Sequence, residues 1–330
     1  MAAEQQFKFI DLFAGIGGIR IAFERAGAKC VFSSEIDEQA IETYKRNFGE
    51  SPEGDIKKVS AKEIPDHDIL AAGWPCPSFS IMGDKEGIED ERGALIFEIE
   101  RILNEKQPKA FLLENVKHLT GIDKGKVFDF ILNLLKSAGY HVHWEVLDAR
   151  NFGLPQKRER TIIVGFQDNF AFEIPQKNDA EKDLEDILQP PEKVDDKYLA
   201  TEYIRNKRKE SVEEEETFTP SVWHENRSGN VSVLPYSCAL RASASYNYLL
   251  VNGERHLTPR EMLRLQGFPE CFEVTGSYTK IRNQVGNSVP IPMIEEAAKA
   301  MIHTLKEGYQ LKQDTIHIKQ HDLFEEAEVE

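Results

Sequence analysis

From Phe7 to about Phe166, short apolar runs alternate with longer amphipathic stretches. KFIDLF reads as a buried strand, followed by CVFSSE, DILAAG, KAFLLEN, HVHWEVL and TIIVGF. Each is short and dense in branched or aromatic side chains, as strands buried on both faces are. Between them lie helical patterns over about Gly18 to Ala26 and Asp37 to Asn47, the latter with Asp37 as N-cap. Glu91 to Lys106 places Leu95, Ile99, Ile102 and Leu103 at helical spacing, and Val127 to Ala138 is a further helix. This repeated alternation predicts a doubly wound α/β sheet, on which ligands sit at the carboxyl ends of the strands.

The pattern changes near Phe172. Residues 173–235 are polar and weakly periodic, the start of a smaller, loop-rich second domain. Its later part, YSCALRASASYNYLLVNGERHLT, has strand-like runs and an Asn252-Gly253 turn signal. An apolar helix from Pro292 to Leu305 is expected to pack back on the first domain.

Composition narrows the class. The 330 residues are 40% hydrophobic, enough for a globular core, and no apolar run reaches the roughly 18 residues of a membrane span. The start of the chain lacks the layout of a signal peptide. Cys30, Cys76, Cys238 and Cys271 lie far apart without a CxxC pair, which argues against disulfides and a metal site and for a reducing, cytoplasmic setting. The net charge of −16 is concentrated in 173–197, 213–216 and 322–330. Basic spots remain at Arg150, Lys157, Arg158 and Arg160, at Arg205 to Lys209, and at Lys280 and Arg282, so binding to phosphates stays open.

The candidate chemistry falls at strand ends. FIDLFAGIGG puts Gly15, Gly17 and Gly18 on a strand-to-helix turn, where the backbone can approach a nucleoside closely. Glu35 ends the next strand, suited to a ribose hydroxyl pair, and Asp55 in GDI suits an adenine amino group. This set alone does not separate a dinucleotide from S-adenosylmethionine, but the loop lacks GxGxxG spacing, which favours a cofactor without a pyrophosphate. In GWPCPSFS, Cys76 is pinned between Pro75 and Pro77 at the ligand edge, a candidate nucleophile. Glu114 follows a buried strand in LLENV, where a carboxyl group is a candidate for a raised pKa. QKRER offers Arg158 and Arg160; if Arg160 begins a strand, one guanidinium faces the site and the other a phosphate or the partner domain.

The ordered set DLFAGIGG, GDI, PCPSFS, ENV, QKRER, LTPREMLRLQGFP and QVGNSVP resembles the motif series of the DNA (cytosine-5) methyltransferases, in particular the small bacterial restriction–modification enzymes. The likeness covers residues 7–166 and 255–301. It implies a Rossmann-like S-adenosylmethionine-dependent catalytic domain (1–175 plus 281–330), a target-recognition domain (176–272) and a hinge (273–280). It implies that Asp11, Phe13, Gly15, Gly17, Gly18, Glu35, Ile36, Asp55, Ile56, Pro75 and Asn287 hold S-adenosylmethionine. It further implies that Cys76 is the nucleophile, that Glu114 holds the N3 and amino edge of cytosine, and that Arg160 contacts O2. Arg158 joins this catalytic set as a structural or phosphate contact.

Pro77 and Ala239-Leu240 depart from the family pattern, which carries Gln and Thr-Leu in many members. In the recognition region Arg227, Arg241, Asn226, Asn247 and Tyr246 are candidate base or backbone contacts, with Tyr248 beside them. ALRASASYNYLLVNG resembles the corresponding stretch of some enzymes that modify CCGG-containing sites. The implied partners are double-stranded DNA and a separate cognate endonuclease, with the enzyme acting as a monomer. The segment Phe79 to Arg92, with Gly83, Gly87 and Gly93 as hinges, is expected to close on DNA. A tRNA-directed relative would carry Cys-Phe-Thr, whereas Cys271-Phe272 is followed here by Glu273.

Overall fold

A computed structural model describes residues 6–75, 95–213, 217–242 and 244–308. The predicted alternation is present: β1 (Lys8–Leu12), α1 (Gly18–Arg25), β2 (Lys29–Ser34), α2 (Glu38–Phe48), β3 (Ile69–Gly73), α3 (Leu95–Lys106), β4 (Ala110–Val116), α4 (Lys126–Ser137), β5 (His141–Asp148), β6 (Gln156–Lys157) and β7 (Glu159–Phe166). Asp37 caps α2 as expected, its carboxylate accepting from the N–H groups of Gln39 and Ala40.

Six of these strands form one sheet in the order β2-β1-β3-β4-β7-β5. The first four are mutually parallel, and β7 runs antiparallel between β4 and β5. Strand alternation divides the side chains between two cores. Phe9, Ala71, Leu112, Ile162 and Val164 pack with Ile19, Ala22 and Phe23 of α1. Ile10, Leu70, Ala72, Phe111 and Leu113 pack on the other face with Ile99 and Leu103 of α3 and Ile131 and Leu135 of α4. Both faces of the inner strands are covered, so these read as near-continuous apolar runs; β5, at the sheet edge, buries only Leu147, which corrects the expectation of burial on both faces there.

The chain continues through α5 (Leu184–Ile187), α6 (Glu202–Glu210), β8 (Val222–Glu225), β9 (Val231–Leu234), β10 (Ser237–Cys238), β11 (Leu249–Val251), α7 (Pro259–Gln266) and α8 (Tyr278–Asn287). β11, β8 and β9 form a small antiparallel sheet. The predicted turn follows β11, with Asn252 and Gly253 at φ 52° and 70°, both left-handed. A last helix, α9 (291–308), returns to the large sheet, where Ile294, Ala297, Ala298 and Met301 join the core around α1.

Two buried polar side chains stitch these parts together. Gln156 donates to the Leu265 carbonyl (2.8 Å) and accepts from the Leu240 N–H (2.9 Å). Arg158, 1% exposed, donates to the carbonyls of Leu240 (2.7 Å), Gly286 (3.0 Å) and Ser288.

Gly165 in β7 has no room for a side chain, since an added Cβ would lie 2.2 Å from Cε1 of Phe111. Gly165→Ala should therefore cost about 1–3 kcal/mol by overpacking, read as a lower midpoint in urea unfolding. An unchanged midpoint would contradict this packing.

Candidate active site

The parallel strands deliver their carboxyl ends to one edge of the sheet, where register sets Leu12 beside Ser34 and Ala72, and Gly73 beside Glu114. A cavity of about 920 Å³ opens at this edge. Phe13, Gly15, Glu35, Ile36, Asp55, Ile56, Pro75 and Asn287 line it, as do Glu114, Arg158 and Arg160. Cys76 lies outside the described residues and follows Pro75 directly in the chain; the 79–92 segment and Gly83, Gly87 and Gly93 lie outside them too.

The glycine loop divides its labour. Phe13 and Gly15 take left-handed backbone at φ 58° and 56°, and a Cβ on Gly15 would meet nothing within 4 Å. By contrast, a Cβ on Gly17 would lie 2.3 Å from the Phe48 ring, and one on Gly18 would lie 2.7 Å from Ser288 Oγ. At Gly17 and Gly18 the missing side chain makes room for Phe48 and Ser288, and neither glycine is among the residues that line the cavity. Glu35 holds the loop: its Oε2 accepts from the Gly15 N–H (2.7 Å) and its Oε1 from those of Ile36 and Asp37 (2.8 Å each). Oε2 keeps a lone pair for a further donor, whereas both acceptor sites of Oε1 are taken.

Asp11 is likewise behind the wall. It is fully buried, and burial pushes its carboxyl up to about 8, with the Arg20 cation offsetting part of the effect. Neither carboxylate oxygen meets a hydrogen-bond donor at full geometry among the described residues.

Antiparallel pairing of β4 with β7 sets Glu114 opposite Ile162 and Val116 opposite Arg160. Glu114 and Arg160 are thus diagonal neighbours on one face, close enough for long side chains to meet. Arg160 Nε lies 2.8 Å from Glu114 Oε1, and both side chains are about nine-tenths buried. Burial raises the Glu114 carboxyl above its ordinary range even though Arg160 and Arg158 pull it down. Arg158, two residues earlier, is on the same side, not the opposite one. Its fork is used on three backbone carbonyls, so its place is that of a strut and not a phosphate contact.

One neighbour was not read from the sequence. Asn115, 2% exposed, donates to the Trp74 carbonyl (2.9 Å), tying the end of β4 to the residue before Pro75. Its signal was present, since a buried amide beside Glu114 requires a partner.

The family described as C-5 cytosine-specific DNA methylase matches residues 7–303. The chain belongs to that family. It is 53% identical over 293 residues to the Type II methyltransferase M.NgoBI of Neisseria gonorrhoeae, covering 89% of this chain and 92% of that protein. It is 52% identical to the Type II methyltransferase M.HaeII of Haemophilus aegyptius, covering 91% and 94%. Among solved structures, the Entamoeba histolytica methyltransferase EhMeth superposes with a TM-score of 0.74 at 20% identity, covering 92% and 99%. The S. pombe Dnmt2 methyltransferase gives 0.71 at 22% identity, covering 91% and 99%. These two show the same fold. The protein is a DNA (cytosine-5-)-methyltransferase.

In a DNA methylase the cations outside the cavity acquire interest. The basic spot on α6 is spoken for: Arg205 and Lys209 pair with Glu254 (3.1 and 2.6 Å), and Arg208 with Glu225 (2.7 Å). Asn247 is engaged through its Oδ1, which lies 2.9 Å from His256 Nε2. Arg227 is exposed in the turn after β8, beside Asn226, whose Oδ1 accepts from Ser228 and Asn230. Arg241 lies over the Tyr248 ring at 4.9 Å, and Tyr246 remains 46% exposed. No helix among the described residues is long and apolar enough to cross a membrane.

The Asp11 carboxyl gives a pH signature. It holds its proton up to about pH 8 in the folded chain, whereas the unfolded chain releases it near pH 4. Folding therefore takes up a proton between those values, and stability falls as pH rises through that window. The thermal midpoint of Asp11→Asn should gain on wild type progressively from pH 5 to pH 8 and then level off. A constant offset across that range would contradict the assignment.

Proposed function

We propose that the protein transfers a methyl group from S-adenosylmethionine to C5 of a cytosine flipped out of a short, specific duplex DNA site. In this reading Cys76 is the covalent nucleophile, and the enzyme acts as a monomer beside a separate restriction endonuclease. The observation that carries the reading is the buried Glu114–Arg160 pair, set in one cavity with the Glu35-locked glycine loop and with the residue before Cys76. Two relatives about half identical are named Type II methyltransferases, which supports the restriction–modification role.

The lining fits the methyl donor. Ile36 is 71% exposed where it lines the cavity, an apolar face for an adenine ring. Ser34 and Trp74 also line the cavity. Glu35 would hold the ribose, Asp55 the adenine amino group, and Phe13, Ile56, Pro75 and Asn287 the remaining surface. When bound, S-adenosylmethionine supplies a methyl group on a sulfonium.

Cytosine C5 is too weak a nucleophile to take that methyl unaided. Addition of the Cys76 thiolate to C6 forms an S–C bond and makes C5 nucleophilic. Charge gathers on N3 and O2 as the bond forms. Glu114, whose proton is favoured by burial, donates to N3, and Arg160 supports O2. Arg160 uses Nε on Glu114 and Nη1 on the Glu159 carbonyl, which leaves Nη2 for the base. After methylation, a water or hydroxide takes the C5 proton as the C6–S bond breaks, which restores the ring and releases the Cys76 thiolate. C6 is inaccessible within a duplex, so the base leaves the stack at a cost of roughly a few kcal/mol, offset by pocket and backbone contacts. Residues 176–272 would read the flanking bases, with 273–280 as the hinge.

Tritium transfer from labelled S-adenosylmethionine to unmethylated genomic DNA, beside total tRNA, tests this. Wild type should label DNA, Cys76→Ala should abolish the label, and Glu114→Gln should slow transfer by about 10²-fold or more. Label persisting in the Cys76→Ala product, or confined to tRNA, would overturn the proposal.

A further inference from the structure

Arg282 carries none of the roles above, and its surroundings are unusual for a cation. It lies on α8 at 9% exposure, with no carboxylate within ion-pair distance among the described residues. A buried charge without a counter-ion is costly unless hydrogen bonds replace its water. Here Nη2 donates to two backbone carbonyls in the loop that follows β10, those of Ala244 (3.2 Å) and Ser245 (3.0 Å). The guanidinium also lies over the rings of Tyr246 (5.3 Å) and Tyr248 (6.0 Å).

Among the described residues, that loop is held internally by the Arg241 N–H to Tyr248 Oη bond (3.1 Å) and by the Arg241 guanidinium over the Tyr248 ring. Its internal backbone bonds, Ala244 N–H to Arg241 O and Tyr248 N–H to Ser245 O, are each 3.4 Å, at the long limit. External contacts hold it too. Arg158 holds the Leu240 carbonyl at its start, and Gly286 of α8 approaches so closely that an added Cβ would lie 2.6 Å from the Ala242 nitrogen. Meanwhile α8 contributes Asn283, Gln284 and Asn287 to the active-site cavity. One helix therefore carries both the cavity wall and the clamp on the loop.

We propose that Arg282 is a positioning residue for target specificity, fixing the 241–248 loop relative to the active-site cavity so that its side chains meet the bases flanking the target cytosine in one register. The proposal rests on the reading of that loop as DNA-facing. An apolar side chain at 282 would fill the same space without burying a charge. A guanidinium adds a planar, directional hold on carbonyls and rings, which an ammonium cannot reproduce. Side chains that discriminate bases need that precision from the residues behind them.

The test begins by locating the wild-type target through bisulfite sequencing of methylated genomic DNA. Then kcat/KM is measured on a duplex with that site and on duplexes with one flanking base pair changed, for wild type, Arg282→Gln, Arg282→Lys and Tyr246→Ala. Thermal midpoints and the Kd for S-adenosylmethionine are recorded alongside. Both Arg282 variants should lower the cognate-to-altered ratio by about tenfold or more, the scale of one lost base contact, while the Kd moves less than about threefold. If both rates fall together with the midpoint and the ratio holds, Arg282 is only structural and the proposal is overturned. Wild-type discrimination in Arg282→Lys would overturn it too, because charge alone would then suffice. An unchanged ratio in Tyr246→Ala as well would show that the loop does not read DNA, and the underlying reading would fall with the proposal.

Discussion

Glu114 and Arg160 set the terms for the rest of the molecule. A carboxyl group and a guanidinium 2.8 Å apart, each about nine-tenths buried, satisfy each other where water does not reach. Losing one partner leaves the other stranded, at a cost of about 3–5 kcal/mol. Their meeting depends on the antiparallel register of β4 and β7, in which Glu114 faces Ile162 and Arg160 is its diagonal neighbour. That register depends in turn on both faces of the sheet being packed, by α1 and α9 on one side and α3 and α4 on the other. The same burial that makes the pair expensive favours the protonated carboxyl, the form that can donate to a base.

Around this pair the molecule repeatedly buries polar groups that local structure does not satisfy. Arg158 and Arg282 are cations held by backbone carbonyls in place of acids, and both grip the stretch from Leu240 to Ser245. Glu35 is an acid held by three backbone N–H groups, and it grips the glycine loop. Each of these charged groups fixes an irregular segment. Regular strands and helices cannot supply such fixings, because their own backbone groups are already paired.

The sequence made the large sheet legible because both-face burial leaves a strong signal: six apolar runs, their intervening helices and the Asp37 cap all appear where the pattern puts them. Strand ends likewise brought Glu35, Asp55, Glu114 and Arg160 to one cavity. What the pattern could not convey were partners distant in the chain. For Arg158 the pattern left a structural, domain or phosphate contact open, and only the carbonyls of Leu240, Gly286 and Ser288, distant in the chain, show which groups its fork holds. The basic run on α6 looked free until Glu225 and Glu254 came beside it. The need for glycine at positions 17 and 18 comes from Phe48 and Ser288, which fill the space a side chain would take. Periodicity reports the face a residue occupies, not what waits opposite it.

The central claim is that this cavity activates cytosine through a bond from Cys76 to C6. It is tested most directly with a duplex carrying 5-fluorocytosine at the mapped target. Fluorine at C5 cannot leave as the proton does, so thiolate addition and methylation should stop at a stable protein–DNA adduct. Peptide mass spectrometry of that adduct should find the methylated 5-fluorocytosine on the peptide containing Cys76. No adduct, or one carried by Cys30, Cys238 or Cys271, would contradict the account.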